Sequence, residues 1–270
     1  MNVHNVCLGV LSFWSLSAYA DAINVDLGTG YQFAILAGST VTSTGATVVH
    51  GDLGVAPGTV VTGFPPGIVS GGTIHAGDAV AQQAQIDLTT GYNFAAGQAC
   101  GTTLTGQDLG GLTLLPGVYC FSSTAQLTGT LSLDTQLELN PVFVFQIGST
   151  LTTADGASVV FVNGGPTNNV YWQVGTSATI GANTEFAGNI LASASITLNS
   201  GANITRGRAL ALNAAVTLNT NDISFEQTTG DPVPEPATAA LLSMGLLLGL
   251  GVRAYGRQAE KLVAATLDRR

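Results

Sequence analysis

Positive charge is what this sequence most lacks. Seven Lys and Arg stand against 16 Asp and Glu, and between Asp21 and Gly230 the only fixed cations are Arg206 and Arg208. Phosphate backbones are held by clustered Lys and Arg, so nucleic acid is excluded as a partner. Charge of either sign is scarce, at 9% of residues, but 46% are hydrophobic, so the chain has material for one sizeable core and the scarcity does not signal disorder. Histidine is nearly absent, with only His4, His50 and His75. His50 near Asp52 and His75 near Asp78 lack the further clustered ligand that a metal site requires, and they read as turn or helix-capping residues. Asp134, Asp155 and Asp222 read likewise as turn residues beside strands. No acidic pair recurs on a strand face, so a glycosidase has no candidate acid and nucleophile. The expectation is a protein that is not an enzyme and carries no cofactor or metal.

Cysteine is also scarce, and its meaning depends on the chain ends. Val6 to Leu16 is apolar and is followed by Ala18-Tyr19-Ala20, small at the two positions that a signal peptidase reads. Residues 1–20 are therefore expected to be a signal peptide cleaved before Asp21, the alternative being an uncleaved anchor. With Cys7 in that leader, Cys100 and Cys120 are the only thiols of the mature domain. Two cysteines in an exported protein most simply form one disulfide, the alternative being two buried thiols.

At the other end stand Pro234, Glu235 and Pro236, then a charge-free stretch from Ala237 to Val252, then Arg253 and Arg257. That stretch is near the lower limit for crossing a bilayer, with the basic residues on the cytoplasmic side. The order of Pro-Glu-Pro motif, apolar helix and basic end resembles the PEP-CTERM sorting signal of Gram-negative bacteria. This resemblance implies recognition by an exosortase-type enzyme in cells that usually make an extracellular polysaccharide, a possible second partner. The expected division is a linker over 229–236, a transmembrane or sorting helix over 237–254 and a basic tail over 255–270, a plain membrane anchor being the alternative. Either reading puts the body, 21–228, outside the cytoplasm, at the cell surface or in its matrix.

The body is made of short β-branched runs punctuated by Gly, Asn and Asp, with glycine spread at no three-residue period, which excludes collagen. One segment differs. His75 to Gly97 lacks proline and sets Val80, Ala84, Leu88 and Tyr92 at four-residue spacing, which predicts one amphipathic helix packed on a β body. The later body repeats: Ser177-Ala178-Thr179-Ile180-Gly181, Ser195-Ile196-Thr197-Leu198-Asn199 and Ala215-Val216-Thr217-Leu218-Asn219 align without gaps. Strand alternation puts Ala178, Ile180, Ile196, Leu198, Val216 and Leu218 on a core side, and Ser177, Thr179, Ser195, Thr197, Asn199, Thr217 and Asn219 on an outer side. Thr40, Thr42 and Thr44, and Thr150 and Thr152, show the same alternation. Leu127 to Leu139 alternates too, without a register that one sequence can fix. Stacked coils place equivalent threonines about 4.8 Å apart, and alternate residues of a strand roughly 6.7 Å apart, in a flat array of methyls and hydroxyls.

Six segments together resemble a known family: 36–67 (LAGSTVTSTGATVVHGDLGVAPGTVVTGFPPG), HAGDA from His75, LGGLTLLPGVYCF from Leu109, FVFQIGSTLTTADG from Phe143, VYWQVGTSATIG from Val170 and FAGNILASASITL from Phe186. It is the microbial ice-binding family, and the likeness runs from about Tyr31 to Ile223. The resemblance implies a mainly β fold: a right-handed discontinuous β-solenoid of triangular cross-section, one long flanking helix, and an N-terminal coil packed near the C-terminal ones. It also implies an ice crystal surface as partner, met by the flat threonine-bearing face, with antifreeze or recrystallisation-inhibiting activity. Asn213 and Asn219 stand where many relatives carry Gly and Asp. The alternative function is a surface or matrix adhesin that uses the solenoid only as a scaffold.

Overall fold

The structure, a computed structural model, describes residues 21–225. The expected leader, the Pro-Glu-Pro linker, the apolar C-terminal segment and the basic tail lie outside those residues. Short parallel strands wind repeatedly through three sheets of nine, seven and eight strands, which form the three faces of a solenoid. Parallel sheets bury strand residues within a coil, and here alternate aliphatic or aromatic side chains of each strand point inward, as Phe143, Phe145 and Ile147 do on the first face and Ala178 and Ile180 on the second.

Coil order does not follow chain order. The first coil enters at Phe33–Ala37, passes through Thr40–Thr44 and Val48–His50, and is followed by a second coil from Asp52 to Ser70 and the strand Ile74–Ala76. The helix then carries the chain to the far end, where strands resume at Thr102–Thr103 and wind back. The last coil, Ala209–Ala211, Val216–Asn219 and Asp222–Ser224, pairs with the first on all three faces, with Leu36 opposite Leu210, Thr42 opposite Thr217 and Val49 opposite Ile223. The discontinuity and the mainly β class are as expected.

Corners between the second and third faces stack in the left-handed region. Gly129, Gly156, Asn183, Gly201 and Thr220 occupy it on successive coils. Glycine fits there at no steric cost, and the isolated Asn183 and Thr220 accept it because the coils above and below fix the turn. Buried threonines and one asparagine line the inside of that corner. Thr153 Oγ1 lies 3.2 Å from Thr184 Oγ1 and accepts from Gly181 N, while Asn221 Nδ2 donates to Asn199 O and Ala202 O. Each polar group taken out of water thus has a partner.

Core width varies with coil length. Tyr119, Phe145, Trp172, Ile190, Ala209, Ile35 and Leu53 form one inward column of the first face, in register. Phe145 and Trp172 stack 3.9 Å apart at 8°, and Phe186 tilts against Trp172 at 5.0 Å. Aromatics fill the wider coils at the far end, and small aliphatics fill the narrower ones.

The helix spans Ala79–Gly97, starting four residues later than expected, because Ile74–Ala76 is a strand and Asp78 is the N-cap, accepting from Ala81 N. Its buried stripe is Ala81, Ala84, Leu88, Gly91 and Ala95, with Val80 42% exposed. A strict four-residue spacing drifts about 40° per step around a helix, so positions three and four apart in alternation hold the contact, Val80 falls outside it, and Tyr92 packs at its margin and donates from its hydroxyl to Val174 O. The stripe lies on the outer side of the first face, over Leu36, Val118, Val144, Tyr171, Leu191 and Leu210. The alternation in 127–139 resolves into Thr130–Asp134 with Leu131 and Leu133 inside, and it ends there, leaving Leu137 and Leu139 exposed.

Candidate functional site

The second face carries nearly every threonine singled out from the sequence. Its strands run in the order Ala125–Leu127, Leu151–Thr153, Ala178–Ile180, Ile196–Leu198, Val216–Asn219, Thr40–Thr44, Val60–Thr62. In exact cross-strand register, Gln126 stands beside Thr152, then Thr179, Thr197, Thr217, Thr42 and Thr62. Six threonines thus form an unbroken outward row, about 24 Å long at the usual strand spacing. Their neighbours in each strand (Leu151, Ala178, Ile180, Ile196, Leu198, Val216, Leu218 and Val41) are buried, so the threonines have a rigid floor.

A second row runs beside the first. Ser177 and Ser195 join through a hydrogen bond between their Oγ atoms at 2.9 Å, and Thr150, Ala215 and Thr40 precede their strands' inward residues in the same way. Val60, opposite Thr40, ends this row and is 48% exposed. On the other flank Thr44 is opposite Asn219, and Asn199 holds the corresponding place one coil on. No Asp, Glu, Lys, Arg or His occurs in any of these rows. β-Branched threonine is stiff at χ1, so the array holds its shape without partners.

Thr62 was not singled out from the sequence. The signal was available, since Val60-Val61-Thr62 repeats Thr40-Val41-Thr42 at a spacing of 20 residues, one coil. Gln126 interrupts the row at the opposite edge, which no periodicity predicts.

The third face differs in chemistry. Glu185, Asn203, Asp222 and Val48 form one of its outward rows, with Asn203 donating to Glu185 Oε1 and His50 Nε2 3.4 Å from Asp222 Oδ1. Asp222 is therefore a strand residue and not the turn residue expected. His75, 16% exposed at its side chain, lies between Asp78 Oδ2 at 2.7 Å and Asp52 Oδ2 at 3.8 Å, joining an edge strand to the helix cap. The Ala81 N–H and then His75 hold the Asp78 carboxyl below its ordinary pKa. Among the described residues no group of three or more His, Cys, Asp or Glu is placed to hold a metal ion. Cys100 and Cys120 form a disulfide with Cα atoms 6.0 Å apart, at the far end from Thr62.

Arg208 is the one described cation in the core, 5% exposed. It donates from Nη2 and Nε to Tyr31 O at 2.8 and 3.2 Å and from Nη1 to Asn189 Oδ1 at 2.8 Å. Its guanidinium carbon lies 4.0 Å from the centre of the Phe225 ring and 5.3 Å from that of Tyr31. Burial lowers its pKa to about 10, so it stays charged at neutral pH.

Comparison with known proteins gives a consistent picture. A family model described as Ice-binding-like matches residues 35–224, and one described as the PEP-CTERM protein-sorting motif matches residues 232–258. An ice-binding protein of Nostoc sp. (strain HG1) is 52% identical over 248 residues, which cover 90% of this chain and 91% of that protein. Ice-binding protein 1 of Shewanella frigidimarina (strain NCIMB 400) is 35% identical over 74% of this chain and 26% of its own length. Among solved structures, an ice binding protein from an Antarctic biological consortium superimposes with a TM-score of 0.72 at 45% identity, covering 75% of this chain and 91% of the other. One from the Antarctic ascomycete Antarctomyces psychrotrophicus gives 0.73 at 38% identity, covering 76% and 100%.

Proposed function

We infer, since the chain belongs to the ice-binding-like family, that it binds the surface of ice crystals through the second face. The observation that carries this reading is the in-register row Thr152, Thr179, Thr197, Thr217, Thr42, Thr62. Its repeat of about 4.8 Å across strands and roughly 6.7 Å along them is comparable to repeats in the ice lattice. Threonine offers a methyl to an ordered water cage and a hydroxyl that takes a place in it. Little side-chain entropy is lost on contact because χ1 is already restricted. A charge on this face would hold its own hydration shell and break the match, and none is there.

The residues proposed to meet ice are Thr40, Thr42, Thr44, Thr150, Thr152, Ser177, Thr179, Ser195, Thr197, Asn199, Thr217 and Asn219, with Thr62 added. The activity is physical and not enzymatic. The sorting motif at 232–258 supports export and exosortase processing. We assign 1–20 to a cleaved leader and 237–254 to the segment that holds the domain at the cell surface before processing. An anchored ice binder would keep its cell at an ice surface.

The experiment is recrystallisation of fine-grained ice in the presence of purified protein at micromolar concentration. Wild type slows grain growth, whereas Thr197→Tyr and Thr217→Tyr lose that effect with an unchanged circular dichroism spectrum. Thr205→Tyr, on the third face, retains it. An inactive wild type would favour the adhesin reading, and equal loss from Thr205→Tyr would mean that the wrong face has been assigned.

A further inference from the structure

In a continuous solenoid the last coil is an edge, and a tail attached to it pulls on strands paired on one side only. Here it is not. Asp222–Ser224 pairs with Asn203–Thr205 on one side and Val48–His50 on the other, and beyond the latter lies Ile68–Ser70. The strands Ala209–Ala211 and Val216–Asn219 of the same coil are likewise flanked on both sides. The coil that leads into the tail is therefore interior to the stack.

Its exit is also stapled. Phe225, the residue after that coil, lies over the Arg208 guanidinium at 4.0 Å. The ring also closes over Gly51, where a Cβ would clash with its Cε1 and Cζ. Arg208 in turn holds Tyr31 O, at the entry to the first coil, and Asn189 Oδ1, one coil back. One buried cation thus connects the exit of the last coil, the entry of the first and the middle of the stack. A guanidinium held by neutral acceptors and rings, with no carboxylate beside it, is costly to bury, so the position calls for a role that a well-packed apolar side chain could not fill.

We propose that the Arg208–Phe225–Tyr31 staple, with the interior placement of the last coil, is a mechanical anchorage through which load passes between the solid surface bound by the second face and the C-terminal tail. Interior strands resist a pull in shear, with both ladders loaded together, where an edge strand would peel one bond at a time. The staple keeps the pull from opening the corner at Phe225 first. This rests on the reading that the tail holds the domain to the cell.

Constant-force measurement on the full chain tests it, with one handle at the C-terminus and the other inserted after Gly165, an exposed residue with open space around it. Phe225→Ala shortens the folded lifetime under load by roughly tenfold or more, the scale of a desolvated cation–π contact. Arg208→Met does the same. With handles instead at the N-terminus and after Gly165, so that the tail is slack, lifetimes for Phe225→Ala stay within about twofold of wild type. Equal shortening in both geometries would reduce the staple to a general stabiliser and overturn the proposal, as would no shortening in either. Should Arg208→Met fail to fold, Phe225→Ala alone decides. Deleting 232–258 in the producing cell tests the tether itself. Retention of the domain on cells would sink the anchoring reading, and loss of grain-growth inhibition by wild type would sink the ice reading. Neither outcome alters the lifetimes.

Discussion

A threonine's contribution to a flat face depends on what surrounds it. Thr179, Thr197 and Thr42 have threonines on both neighbouring strands and are half-buried, whereas Thr62 stands on an edge strand and is exposed. Thr62→Tyr should therefore reduce grain-growth inhibition less than Thr197→Tyr, measured as the concentration giving half-maximal effect. Alternation in short runs made these outward residues legible in the sequence, because a β period of two needs only three residues to declare itself. Arg208 was not legible. One of two arginines in a short Arg-Gly-Arg segment shows nothing of Tyr31 O, which is 177 residues away and meets it only because the first and last coils pair. Trp172, between Phe145 and Phe186, is the largest wholly buried side chain, and Trp172→Ala should cost about 3–5 kcal/mol in denaturant unfolding.

Elements were read with uneven success, for physical reasons. Three rungs of the second face were clear because they share length and turn residues, with coils of 18 to 20 residues separating Thr179, Thr197 and Thr217. The longer coils before them hide the repeat, since aromatic packing at Phe145 and Trp172 changes the circumference. The helix was seen but misplaced at its start, because His75-Ala76 serves as a strand and the capping aspartate follows it. That helix is held to the N-terminal segment by Asp87, whose carboxylate accepts from Thr29 Oγ1 at 2.7 Å and Thr29 N at 2.8 Å. The Thr29 hydroxyl, chiefly, keeps Asp87 below its ordinary value of 3.8. A depressed carboxylate stabilises the fold above that ordinary value and loses the contribution as pH falls through the folded one. Hydrogen-exchange protection in 79–97, taken relative to the intrinsic amide rate at each pH, should accordingly fall on acidification below about pH 4, before that of the central strands. Reducing the Cys100–Cys120 disulfide should lower stability by up to roughly 3 kcal/mol, seen as a lower melting temperature. Ice shaping should survive in the cold, because that bond lies at the far end of the stack from most of the threonine row.

For the whole molecule, the separation of charge from the proposed contact surface sets the solution behaviour. Among the described residues, acids lie on the third face, at corners, in the N-terminal segment and around the helix, while the threonine face has no ionisable side chain. Inhibition of grain growth should be flat between about pH 5 and pH 9, and a change within that range would point to a titrating group in the contact. The mainly β class and the outward threonines were legible because repeat, turn and pattern agree at many positions, and the family was legible from the six segments that resemble it. The closure of the first coil on the last was implied by the resemblance alone, since pairings such as Thr42 with Thr217 join residues 175 positions apart and leave no local trace from which to read the register.

That closure has a consequence for synthesis. The first coil pairs on one side with the second, which follows it at once, but it gains its inner neighbour only after the last coil exists, so its inner edge must wait for residue 209 and beyond. Contacts of such sequence separation are slow to form, because loop-closure entropy is spent before the pairing repays it. A chain threaded outward N-terminus first would remain loosely structured until nearly all of it has passed. Late closure gives the polypeptide a built-in delay before it stiffens.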